Sequence, residues 1–94
     1  MAKLKQTTNG AMIEGELTFS VIPSFINEGY RLIDAAQGGL TFDLSGVTRV
    51  DSGSLALLID WVRYAKQQQK SVTFSHLPEK IQQMMKLSNL VLPV

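Results

Sequence analysis

Apolar positions recur along this chain with two different periods, and the switches between them mark out its elements. Lys3 to Thr8 reads as a strand, followed by a hairpin turn at Asn9-Gly10, a pair that readily takes the backbone angles of a tight turn. Ala11 to Leu17 reads as the return strand, with Met12, Ile13 and Leu17 apolar and Glu14, Gly15 and Glu16 closing it. The period then becomes helical, with Ile22, Phe25, Ile26, Gly29, Ile33 and Ala36 on one side. Ser20 is placed to cap that helix and Pro23 fits its first turn. Gly38-Gly39 supplies a left-handed stop. Leu40 to Leu44 is a strand, Ser45-Gly46 a turn, and Val47 to Val50 a short extended segment. A second helix covers about Ser52 to Gln69, Ser71 to Ser75 is a strand, and Pro78 opens a third helix with Ile81, Met84, Met85 and Leu87 on its apolar side. The tail from Leu90 to Val94 is apolar. The order is β-β-α-β-α-β-α, an α/β fold with a mixed sheet and about three helices, in which right-handed crossovers join the parallel strands.

The second helix carries more apolar surface than one sheet contact requires. At about 100° per residue, Leu55, Leu58, Ile59 and Val62 share one side, while Leu57, Trp61 and Tyr64 fall almost opposite. Asp60, Arg63 and Gln67 form a narrow polar strip between them. The second stripe has two readings. It packs against a neighbouring helix, or it stays exposed as a partner-binding patch rich in the aromatic residues that anchor interfaces. The narrow polar strip and the polar turn at the same end of the helix favour the exposed patch.

That turn, Asp51-Ser52-Gly53-Ser54, is the chain's first candidate for a working surface. It stands at a helix N-terminus, where backbone N–H groups lack intrahelical partners and the dipole favours negative charge. Ser52 and Ser54 can act there as caps, phosphoacceptors or nucleophiles. A nucleophile needs a positioned base, and nothing in the sequence places His76, the one histidine, beside Ser52. Asp51 reads as the helix cap and Asp43 as a brace for the Ser45-Gly46 turn. Asp43, Asp51 and Asp60 do not form a metal set, since Asp60 lies about two and a half helical turns beyond Asp51. No Cys/His ligand spacing exists and no phosphate-loop lysine follows the glycines, so neither a metal nor a cofactor is expected.

Composition narrows the class further. Ninety-four residues suit one domain, expected over residues 1–94. Hydrophobic residues make up 45 % and charged residues 18 %, too apolar for disorder and low enough in charge to suggest that some apolar surface serves a partner. The net charge of +1 comes from scattered Lys and Arg, which argues against nucleic-acid binding. The absence of cysteine excludes disulfides and thiolate metal sites. No apolar run is long enough for a signal peptide or a membrane span, so a cytoplasmic protein is expected.

Asp43-Leu44-Ser45-Gly46-Val47 followed by Val50-Asp51-Ser52-Gly53-Ser54-Leu55 resembles the STAS domain family, with Gly15-Glu16-Leu17 before the first helix extending the likeness over nearly the whole chain. Arg49-Val50-Asp51-Ser52, Leu55-Ala56-Leu57-Leu58, Ala65-Lys66-Gln67-Gln68, Val72-Thr73-Phe74 and Lys86-Leu87-Ser88-Asn89-Leu90 point to its MlaB-like branch. Those are small stand-alone proteins attached to the ATPase of a phospholipid ABC transporter that maintains outer-membrane lipid asymmetry. The resemblance implies that Ser52 is the hydroxyl residue at the ATPase contact. Anti-sigma-factor antagonists of the family carry a phosphorylated hydroxyl residue where this chain has Gly53, with Ser54 in place of a glycine.

The expected function is therefore a non-catalytic accessory subunit that binds an MlaF-like ABC ATPase and, through it, a membrane permease. The partner surface would comprise Asp51, Ser52, Gly53, Ser54, Leu57, Trp61 and Tyr64, with Ser52 and Ser54 as candidate phosphoacceptors. It would sit in the cytoplasm, peripheral to the inner membrane, and a homodimer is compatible with the sequence. The alternative is an anti-sigma-factor antagonist that binds a kinase-like anti-sigma factor. A small hydrolase using Ser52 and His76 is the remaining reading.

Overall fold

A computed structural model describes residues 2–8 and 10–94. It contains β1 (Lys3–Thr7), β2 (Gly10–Leu17), α1 (Ile22–Ala35), β3 (Gly39–Val50), α2 (Ser52–Gln67), β4 (Ser71–Ser75) and α3 (Glu79–Ser88). The strands lie in one sheet in the order β1-β2-β3-β4. β1 and β2 pair antiparallel as the expected hairpin, although Asn9 of its turn lies outside the described residues. β2–β3 and β3–β4 are parallel, and each pair is bridged by a helix. Both crossovers step in the same direction across the sheet, so the right-handed rule puts α1 and α2 on the same face. Burial agrees. Ala11, Ile13, Leu17, Phe42, Leu44, Val72 and Phe74 are buried, whereas Glu14, Thr41, Asp43, Thr73 and Ser75 on the other face remain partly exposed. On that open face the Thr41 and Thr73 hydroxyls bond each other across the strands at 2.8 Å.

Several element boundaries differ from the sequence expectation for local reasons. β3 runs unbroken through Ser45-Gly46. Its pairing with β2 slips between Met12 and Glu14, and again between Gly15 and Glu16, so β3 accommodates extra residues as bulges. Asp43 does bond Ser45, accepting its N–H at 2.8 Å, but the bond satisfies a bulge instead of a turn. Ser20 does not cap α1. Val21 donates its N–H to the Thr18 carbonyl at 3.0 Å, which closes a turn first, and Val21 becomes the N-cap. The far end of α1 has no basic residue in its last turn. Lys70, from the α2–β4 connection, supplies the cation instead, donating to the Ile33 and Asp34 carbonyls at 2.9 and 2.5 Å. The apolar tail lies along the outer edge of β4. Leu92 is buried and the Pro93 carbonyl accepts the Phe74 N–H at 2.9 Å.

The expected exposed stripe on α2 is corrected by the structure. Leu57 is 1 % exposed and Trp61 0 %. The Trp61 ring stacks on Phe42 of β3 with centroids 4.4 Å apart. Its other contact is α1: a Cβ added to Gly29 would lie 2.1 Å from the indole, so glycine alone allows the two helices this approach. Tyr64 also joins the α1–α2 seam, stacking on Tyr30 at 3.9 Å. The two phenols reach opposite ways, Tyr64 donating to Asp34 at 2.7 Å and Tyr30 to Asp60 at 2.5 Å. Two helices side by side on one sheet face make α2 bury a wide arc, one side toward the sheet and one toward α1.

Trp61→Ala is therefore expected to cost about 3–5 kcal/mol of unfolding free energy, measured by denaturant titration, as for other large core truncations. A variant as stable as the parent would contradict this placement. The seam also sets an alkaline limit. The bond to Asp60 pushes the Tyr30 pKa up from 10.0 to about 12, and Asp34 raises that of Tyr64. A raised folded-state pKa contributes stability that is complete below pH 10 and lost as pH rises through about 12. Ultraviolet titration of the phenolates should show both tyrosines ionising late, with the latest component removed by Tyr30→Phe. Ionisation of both near pH 10 would disprove the seam's hydrogen bonds.

Candidate functional site

α2 begins immediately after the last bulge of β3, and its first turn is held by a reciprocal cap. Asp51 is the N-cap in extended conformation, and its Oδ1 accepts the Gly53 and Ser54 N–H groups at 2.9 and 3.3 Å. The Ser54 Oγ returns the interaction, accepting the Asp51 N–H at 2.9 Å. This is a capping box with serine in the place usually held by Glu or Gln. Ser54 also donates its hydroxyl proton to the Leu17 carbonyl at the end of β2. The second Asp51 oxygen, Oδ2, accepts the Phe19 N–H at 3.1 Å. One carboxylate thus satisfies three backbone donors and ties the β2–α1 loop to the start of α2.

The four residues expected to share a working surface divide in two. Ser52 is exposed and takes no part in the capping network. Ser54 is 0 % exposed with both hydroxyl roles occupied, which removes it as a phosphoacceptor and as a direct partner contact. Gly53 is buried, and a Cβ there would lie 2.9 Å from Ile22 Cδ1, so the backbone itself fills the space. Leu57 and Trp61 belong to the core, and Tyr64 to the α1–α2 seam. Phe19, 66 % exposed against this turn, escaped the sequence reading because it stands alone in a loop, outside both apolar periods.

His76 lies elsewhere. Its Nδ1 pairs with Asp43 Oδ1 at 3.0 Å on the open side of the sheet. The Ser45 backbone N–H is the main cause that holds the Asp43 carboxyl below its ordinary range, with His76 adding to it. Asp43 precedes Val50 by seven residues of strand, roughly 20 Å at the usual rise, so His76 is not a base for Ser52. The three aspartates are dispersed as well: Asp43 serves the bulge and His76, Asp51 the cap, and Asp60 the seam. No group of three or more potential metal ligands occurs among the described residues.

A one-sided, mostly parallel sheet whose last long strand delivers a hydroxyl-bearing helix start is the arrangement of the STAS domain. The profile described as "Mlab, STAS domain" matches residues 6–91, and the chain belongs to that family. It is 37 % identical over 86 residues to the intermembrane phospholipid transport system binding protein MlaB of Escherichia coli (strain K12), covering 90 % of this chain and 84 % of the relative. The protein of the same name from Shigella flexneri matches to the same extent. The anti-sigma factor antagonist SpoIIAA in its unphosphorylated form shares the fold, with a TM-score of 0.70 at 13 % identity over 93 % of this chain and 83 % of that one.

Ser54→Ala should leave the Asp51 N–H and the Leu17 carbonyl without their partner inside the structure, at a cost of about 1–3 kcal/mol in chemical denaturation. Ser52→Ala should change stability by no more than about 0.5 kcal/mol. Equal effects would show that the two serines are not divided between frame and surface.

Proposed function

We propose that the chain is a non-catalytic accessory subunit of a phospholipid ABC transporter and that it docks on the transporter's MlaF-like ATPase through the N-terminal turn of α2. The observation that carries this reading is the division of labour in the turn. Asp51, Gly53 and Ser54 are consumed in holding the helix start, and Ser52 is left outward on a rigid frame. A hydroxyl presented this way is preorganised, so a partner spends little on ordering it. The names of the relatives, binding proteins of an intermembrane phospholipid transport system, support the partner class. No helix among the described residues is long and apolar enough to cross a membrane, and the proposed membrane association is indirect, through the ATPase and its permease on the cytoplasmic side. The likeness to SpoIIAA concerns the fold. Gly53 offers no hydroxyl for the phosphorylation switch of the antagonists, which weighs against that function here.

The test is co-purification of the chain with the ATPase subunit of the same organism's phospholipid transporter, for the parent and for Ser52→Asp. The helix tolerates an acidic residue in its first turn because the dipole favours it. An interface closed around a neutral hydroxyl does not, since an uncompensated buried charge costs about 3–5 kcal/mol. Ser52→Asp should keep the parent's thermal stability and weaken binding by at least about a hundredfold. Capture of an anti-sigma factor in place of the ATPase would overturn the assignment.

A further inference from the structure

Phe19 departs from the rule that the other phenylalanines and the tryptophan follow. Phe25, Phe42, Trp61 and Phe74 are buried, while Phe19 keeps 66 % of its surface in contact with solvent. This exposure is built into the structure. The Phe19 backbone N–H is bound by Asp51 Oδ2 at 3.1 Å. The short turn that carries it is closed by the Val21 N–H on the Thr18 carbonyl at 3.0 Å. The ring edge rests on the first turn of α2, where a Cβ on Gly53 would come within 3.2 Å of Phe19 Cδ1. A glycine at residue 53 therefore leaves the room in which the ring sits, one residue from Ser52.

The two segments that meet beside the ring carry no charge, and the exposed ion pair of Arg49 and Glu16, 3.9 Å apart on β3 and β2, flanks them. The chain has 9 Lys and Arg and 8 Asp and Glu, yet none falls in residues 17–27 or 52–59. These two segments meet at the α2 N-terminus. The Asp51 carboxylate between them is occupied by three N–H groups. The exposed residues of the two segments are Phe19, Ser20, Pro23, Ser24, Asn27, Ser52 and Ala56. An exposed aromatic ring on a hydrogen-bonded loop, beside small neighbours that leave its face open, is the kind of side chain that anchors a protein interface.

We infer that Phe19 is the apolar anchor of the contact made by Ser52, and that the ATPase subunit receives its ring in an uncharged apolar pocket. This rests on the ATPase reading above. The fixed backbone of the loop presents the ring with little entropy left to lose. Phe19 supplies the buried area, and the Ser52 hydroxyl beside it supplies the polar selectivity. Burying the exposed ring against the partner removes the one solvated phenyl group on this end of the domain.

The experiment measures the Kd of the purified chain for the same ATPase subunit, with thermal melting of each variant alongside. Phe19→Ala is expected to weaken binding by at least about tenfold with an unchanged melting temperature. Phe19→Leu should recover part of that loss. Leu87→Ala, on the exposed side of α3 where Leu87 is 88 % exposed, should bind within about twofold of the parent, as a residue outside the interface centre does. Parent-like binding by Phe19→Ala would overturn the anchor and leave the ATPase reading standing. Failure of the parent itself to bind would overturn both. An equal loss from Leu87→Ala would move the docking surface to α3. If Phe19→Ala instead dissolved a homodimer seen by sedimentation, the ring's occupant would be a second copy of the chain, which also overturns the proposal.

Discussion

Two helices packed side by side on one face of a four-stranded sheet constrain nearly everything else in this protein. Because both parallel connections cross the sheet in the same direction, α1 and α2 share a layer and must touch. The contact is made by Trp61, wedged between the Phe42 ring below and the Gly29 backbone beside it. A side chain at residue 29 would separate the helices, and a smaller residue at 61 would leave a void at the junction of three elements. The stacked Tyr30 and Tyr64, with their reciprocal bonds to Asp60 and Asp34, extend the same seam toward solvent. The opposite face of the sheet needs no such cover, since its residues are largely Thr, Asp, Glu and Ser.

This one-sided arrangement also places the turn that opens α2. The bulged end of β3 projects beyond β4, which pairs only with residues Gly39 to Asp43, and leads into the N-cap of α2. There the Asp51 carboxylate serves the helix and the preceding loop at once. The same few bonds that start α2 thus tie the backbone of Phe19 to the turn that carries Ser52. Frame and surface are separated by burial within four positions: the buried hydroxyl of Ser54 belongs to the frame and the exposed hydroxyl of Ser52 to the surface.

Much of this was legible in the chain as written. Alternation in Leu40-Thr41-Phe42-Asp43-Leu44 marked a strand with one buried face, and the apolar spacing in residues 22–36 marked the first helix. Asp51 followed by small polar residues marked a capped helix start, and the same residues carried the resemblance to the STAS family that the profile match then established. These features are local. Periodicity, capping and turn chemistry are written within a few residues of where they act.

What the tertiary structure alone decided was the environment of each side chain. A helical projection shows that α2 has two apolar sides, but not that a second helix lies beside it, so Trp61 read as a docking residue and proved to be core. Ser54 read as a candidate phosphoacceptor alongside Ser52 until β2 brought the Leu17 carbonyl to it from 37 residues away. Ser45-Gly46 has the chemistry of a turn, yet pairing with β2 keeps the strand running and turns the excess residues into bulges. Phe19, unremarkable in a loop, acquires its meaning from Asp51 and Gly53, which follow it by more than thirty residues. The sequence by itself determined the order and type of elements and the family. Which residues are buried and which stay exposed was decided by contacts between distant segments, because burial depends on which neighbours arrive, and no local pattern encodes that.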